Sequence, residues 1–85
     1  MAWRVEYSAA ALKTLRRLDR PIQRRITSFI ETRLVDDPRH VGKAMQGDQR
    51  AWRYRVGNFR LICDIHDASR TVFVVRIGDR KEVYR

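Results

Sequence analysis

The chain has one cysteine, two prolines and four glycines among 85 residues. A lone Cys63 excludes an intrachain disulfide and any metal site assembled from cysteines, so a reducing cytoplasm is the expected location. Nowhere is there the run of about 18 apolar residues that a membrane-crossing helix needs, and Met1 to Tyr7 lacks the apolar stretch of a secretory signal. Few glycines and prolines, with 44% hydrophobic and 34% charged residues, exclude a disordered or low-complexity chain. Acidic groups are scarce. Ten Asp and Glu face nineteen Lys and Arg, for a net charge of +9. Sixteen of the nineteen are arginine. This favours phosphate as a partner, because a guanidinium binds phosphate through two parallel hydrogen bonds and keeps its charge in any surroundings.

The length fits one small domain, residues 1–85, with a thin core. Trp3, Val5 and Tyr7 alternate with Arg4 and Glu6, as in a strand with one buried face. Ser8 reads as a helix cap, and Ala11, Leu12, Leu15 and Leu18 form the apolar stripe of a short helix. With Asp19 as cap and Pro21 in the first turn, Ile22, Ile26, Phe29, Ile30 and Leu34 predict a second helix from about Pro21 to about Leu34. The segment from Asp36 to Arg50 reads as loop, with the sheet resuming at Trp52. Thr71 to Ile77 reads as a buried central strand that Gly78 stops. The expected class is α+β, ordered β-α-α-β-β-β, with an antiparallel meander, an N-terminal strand and a helical pair on one face.

The densest signal is the segment Trp52-Arg53-Tyr54-Arg55-Val56-Gly57-Asn58-Phe59-Arg60-Leu61-Ile62-Cys63. Alternation around Gly-Asn predicts a two-residue hairpin that sets Arg55 opposite Arg60 and Val56 opposite Phe59. Arg53, Arg55 and Arg60 then share one face, while Trp52, Tyr54, Val56, Leu61 and Cys63 take the other. Directly opposed like charges cost a few tenths to ~1 kcal/mol per pair, so such a cluster invites an anion. Asp64 falls on the same face, where pairing with Arg53 or Arg60 is its simplest role. His40 and His66 read as solvated loop residues, and Cys63 as a small buried hydrophobe. No Gly-rich phosphate loop, His/Cys cluster or nucleophile with a histidine partner is present, and neither a metal nor a cofactor is implied.

Residues 52 to 65, with Val-Arg-Ile-Gly-Asp-Arg-Lys-Glu-Val-Tyr-Arg at 75 to 85, resemble the RelE family of toxins of toxin–antitoxin pairs. The likeness extends to Ala-Leu-Lys-X-Leu-Arg-Arg-Leu at 11 to 18 and Asp-Pro-Arg-X-X-Gly-Lys-Ala-Met-X-Gly at 37 to 47. It implies a ribosome-dependent endoribonuclease that cuts messenger RNA through the RNA's own 2′-hydroxyl, leaving a 2′,3′-cyclic phosphate. The family's functional positions fall on Arg53, Arg55, Arg60, Arg80 and Tyr84. Family members often carry lysine at the first two, and arginine is a poor proton carrier, so these arginines are expected to orient RNA and stabilise charge. Tyr84 is expected to stack on the substrate or carry a proton, although anchoring the chain's end to the sheet is an equal alternative. The general base is unassigned. Arg16, Arg17, Arg20, Arg24, Arg25 and Lys43 are candidates for contacts with messenger and ribosome. A RelB-like antitoxin, bound in a hetero-oligomer, is the implied partner. The related ParE toxins, which share the fold but target DNA gyrase, and a non-catalytic RNA-binding protein are the alternative readings.

Overall fold

The computed structural model describes residues 2–45 and 48–79, so Arg80 and Tyr84 lie outside the described residues. Strand β1 (Arg4–Tyr7) leads through Ser8 into α1 (Ala9–Arg17). The Ser8 hydroxyl oxygen accepts from the Ala11 backbone N–H at 2.9 Å, capping the helix, and its O–H donates to the Val75 carbonyl at 2.6 Å. The cap therefore also fastens α1 to the far end of the chain. Helix α2 (Arg20–Phe29) follows with Pro21 in its first turn, and Asp19 holds the cap position without a side-chain bond. A π-helical turn, Ile30–Leu34, carries the helix to its expected end, the Val35 N–H donating to the Ile30 carbonyl at 3.2 Å.

Four further strands complete the sheet: β2 (Lys43–Met45), β3 (Asp48–Val56), β4 (Phe59–His66) and β5 (Thr71–Asp79), in the order β1-β5-β4-β3-β2. The expected α+β class holds, with four differences of detail. Lys43–Met45, expected as loop, forms a short edge strand, and β3 starts at Asp48 rather than Trp52. β1 runs parallel to β5, so the sheet is mixed rather than a pure meander. Gly78 lies inside β5, opposite Arg60, instead of ending it. Between Ile62 and Cys63 the β4–β5 register shifts, leaving Val75 as an extra residue; its carbonyl is the one that takes the Ser8 hydroxyl.

Both helices cover one face of the sheet. Ala11, Leu15, Ile26, Ile30 and Leu34 pack on Tyr54, Val56, Leu61, Cys63, Val72, Val74 and Ile77. Each fully buried aliphatic side chain stabilises the fold by ~1.5–3 kcal/mol, so this single layer accounts for most of the cohesion available to a domain of this size. The hairpin's other face is left for something else.

Candidate anion-binding cleft

The β3–β4 hairpin forms in the expected register, with Arg55 opposite Arg60, Tyr54 opposite Leu61 and Val56 opposite Phe59. Gly57 takes the left-handed conformation at φ 61° that the turn requires. Arg53, Arg55 and Arg60 therefore share a face, and strand β2 adds a fourth cation, because Lys43 pairs with Arg53. β2 stops there, leaving the Tyr54 to Val56 end of β3 uncovered. Beside that uncovered edge opens a cleft of about 680 Å³ lined by Lys43, Arg53, Arg55, Arg60, Phe29, Val41, Gly42 and Tyr54.

The cations differ in setting. Lys43 and Arg55 are exposed and Arg53 is half-buried, whereas Arg60 is only 7% exposed. One Arg60 guanidinium N–H reaches back to the Phe59 carbonyl at 3.4 Å. Such fixed, partly desolvated guanidinium groups attract an anion more strongly than solvated ones, since local dielectric screening is weaker. Gly78, opposite Arg60, brings no side chain to the face they share.

Val41, Gly42 and Lys43 form one wall of the cleft, and the chain leading into it from Pro38 is fixed by two aromatics through their polar tips. The Tyr54 hydroxyl donates to the Pro38 carbonyl at 2.6 Å and the Trp52 indole N–H to the Val41 carbonyl at 2.8 Å. Burial is the main reason the Tyr54 phenol is pushed far above its ordinary pKa. Gly42, at φ 72°, lies so close to β3 that a Cβ would stand 2.4 Å from the Arg53 carbonyl oxygen and 2.6 Å from the Tyr54 ring. Arg39 lies on the chain leading into the wall. It stacks over the Trp52 ring at 5.7 Å and donates to both Asp67 carboxylate oxygens at 2.6 and 3.0 Å, which holds the Asp67 pKa below its usual value.

Arg39 and Asp67 form an ion pair, as do Arg4 and Glu6 at 4.0 Å. Asp64 is in neither, so the pairing expected with Arg53 or Arg60 does not form; across the strands Asp64 faces Ala51 and Phe73. Cys63 is buried, and burial pushes its thiol pKa up, in keeping with a packing role. His40 and His66 are exposed. Among the described residues no cluster of His, Cys, Asp and Glu could hold a metal ion, and no helix is long and apolar enough to cross a membrane.

The helix arginines do not form one surface. Arg25 borders a second groove of about 330 Å³ with Arg33, Arg55 and Phe29, and a Cβ at Gly57 would stand 3.2 Å from its Nη1. This groove shares Phe29 and Arg55 with the cationic cleft and so continues it along α2. Arg17 instead borders a separate depression with Arg76 and Asp79. Arg16, Arg20 and Arg24 are exposed on the helices. Sequence reasoning grouped Lys43 with these peripheral cations and missed its seat beside Arg53. The only local signal was Gly42 just before it.

The family model for the ParE toxin of the type II toxin–antitoxin system parDE matches residues 5–84. The chain is 28% identical over 86 residues to toxin RelG of Mycobacterium tuberculosis, covering all of this chain and 99% of the relative. Its fold superimposes on the crystal structure of the toxin–antitoxin complex RelBE2 from the same organism with a TM-score of 0.85, at 26% identity over 94% of this chain and 100% of that one. The isolated RelE toxin of E. coli shares the fold at a TM-score of 0.82 and 23% identity, over 98% of this chain and 92% of that one.

Proposed function

The chain belongs to the ParE toxin family of type II toxin–antitoxin systems, and we propose that this toxin is a ribosome-dependent endoribonuclease that cleaves messenger RNA in the cytoplasm. The observation that carries the reading is the convergence of Lys43, Arg53, Arg55 and Arg60 on one cleft. Attack of a 2′-oxygen on the adjacent phosphate builds a phosphorane with added negative charge. Guanidinium groups fixed around it stabilise that charge, and loss of one such donor typically costs 10²–10³ in rate. Arg80 and Tyr84 complete the set by resemblance. A RelB-like antitoxin, forming a hetero-oligomer with the toxin, is the proposed partner, and an acidic segment of it suits the net charge of +9. Arg25 and Arg33, on the groove that continues the cleft, extend the path for RNA.

The family model's ParE description favours a second reading, a gyrase inhibitor with no ribonuclease site. Purified toxin incubated with programmed ribosomes and a defined messenger, beside a gyrase supercoiling assay, separates the two. The expected result is discrete messenger cleavage with gyrase unaffected, and a fall of about 10²–10³-fold in Arg60→Ala. Intact messenger with inhibited supercoiling would reverse the assignment.

A further inference from the structure

Resting on the ribonuclease reading, we propose that Lys43 is the general acid of the reaction, the group that gives a proton to the departing 5′-oxygen. The cleft's composition leads there by chemistry. Of its eight lining residues, Phe29, Val41 and Gly42 carry no transferable side-chain proton, and no histidine or carboxylate is among them. A guanidinium is a poor proton carrier, which sets Arg53, Arg55 and Arg60 aside. The Tyr54 hydroxyl already donates to the buried Pro38 residue's carbonyl at 2.6 Å, and burial raises its pKa further. Lys43 remains. An ammonium, unlike a guanidinium, can pass on a proton, and Lys43 is exposed, where water can replace that proton.

Position supports the same role. Lys43 pairs with Arg53 across β2 and β3, which places their Cβ atoms ~4.5–5.5 Å apart on one face, with Arg55 a diagonal ~7–8 Å away. A four-carbon stem spans that distance. A phosphate held by the arginines would thus have the ammonium at its side, on the edge away from the buried Arg60. The segment delivering it is held rigid by Gly42, Trp52 and Tyr54.

In the step, the 2′-oxygen bonds to phosphorus and its proton leaves to water. The bond from phosphorus to the 5′-oxygen breaks, its electron pair staying on oxygen, and the Lys43 ammonium protonates that oxygen. Water then reprotonates the amine. The products are a 2′,3′-cyclic phosphate and a 5′-hydroxyl.

Lys43→Arg keeps the charge and removes the transferable proton. It would be assayed on programmed ribosomes with ordinary messenger and with messenger carrying a sulfur in place of the bridging 5′-oxygen at the cleavage position mapped for the parent toxin. A thiolate departs without a proton, whereas an alkoxide does not. The expected result is a loss of about 10²–10³-fold on the ordinary messenger, recovered to within about tenfold of the parent on the sulfur substrate. Equal losses on both substrates would mean that Lys43 only holds phosphate, and an undiminished rate on the ordinary messenger would place the acid elsewhere; either overturns the proposal. A parent toxin that cuts neither substrate would instead remove the ribonuclease reading on which the proposal stands. Thermal unfolding of Lys43→Arg, at an exposed position, is expected to match the parent.

Discussion

The two faces of the β3–β4 hairpin are built by one alternating pattern and have opposite energetic signs. On the helix side, Tyr54, Val56, Leu61 and Cys63 are almost wholly removed from water and hold the domain together. On the other side, Lys43, Arg53, Arg55 and Arg60 set like charges beside one another, an arrangement that opposes folding pair by pair. The first face is explained by folding alone. The second gathers four cations where burial of the core does not require them, and for that reason points to function. The faces meet at Tyr54, which fills the core, lines the cleft and fastens the cleft wall through its hydroxyl.

Substitutions that separate these roles test the contrast. Tyr54→Ala should lower unfolding free energy by ~3–5 kcal/mol, enough to abolish folding in a domain this small, as read by chemical denaturation. Tyr54→Phe keeps the core volume and strands the Pro38 carbonyl, so a loss of only ~1–3 kcal/mol is expected, accompanied by reduced cleavage as the wall carrying Lys43 loosens. A Tyr54→Phe protein equally stable and equally active would show that the two faces are independent.

Titration of the core face supplies a smaller effect. The folded-state pKa of Cys63 is raised, mainly by burial, so the thiol's contribution to stability is complete below the unfolded thiol's pKa. Above that pKa the unfolded chain ionises first, and stability should fall by at most ~1.4 kcal/mol per pH unit as pH rises. Denaturation of the parent and Cys63→Ala between about pH 7 and about pH 10 should show the parent's advantage shrinking with pH. A constant difference would mean that Cys63 is open to water.

The cationic face should respond to salt, and the core face hardly at all. Four cations on a single-stranded RNA give a slope of log affinity against log salt of about −3, and Lys43→Gln should reduce it by about 0.7. Fluorescence anisotropy with a short RNA measures it. A slope unchanged by the substitution would take Lys43 off the RNA path.

Much of this was legible from neighbouring residues. The Ser8 cap, both helices, the Gly57-Asn58 turn and the division of the hairpin into two faces follow from spacing and turn chemistry, which act over a few residues. β2 was not legible, because Lys43-Ala44-Met45 is too short to show alternation and exists as a strand only by pairing with β3. The parallel pairing of β1 with β5 joins Arg4 to Thr71, and nothing local announces it. Asp64 misled for a related reason: sharing a face with arginines does not bring a short side chain within reach of them.

The sequence by itself determined the cationic character of this protein, the alternation that sorts it onto one face, and the family to which the chain belongs. Only the tertiary structure decided that Lys43 joins Arg53, Arg55 and Arg60, that Arg17 and Arg25 part company, and that Trp52 and Tyr54 hold the cleft wall. The physical reason is range. Side-chain direction along a strand or helix is set by backbone geometry within a turn or two, whereas a cleft is made where segments distant in sequence are packed together by burial of a common core.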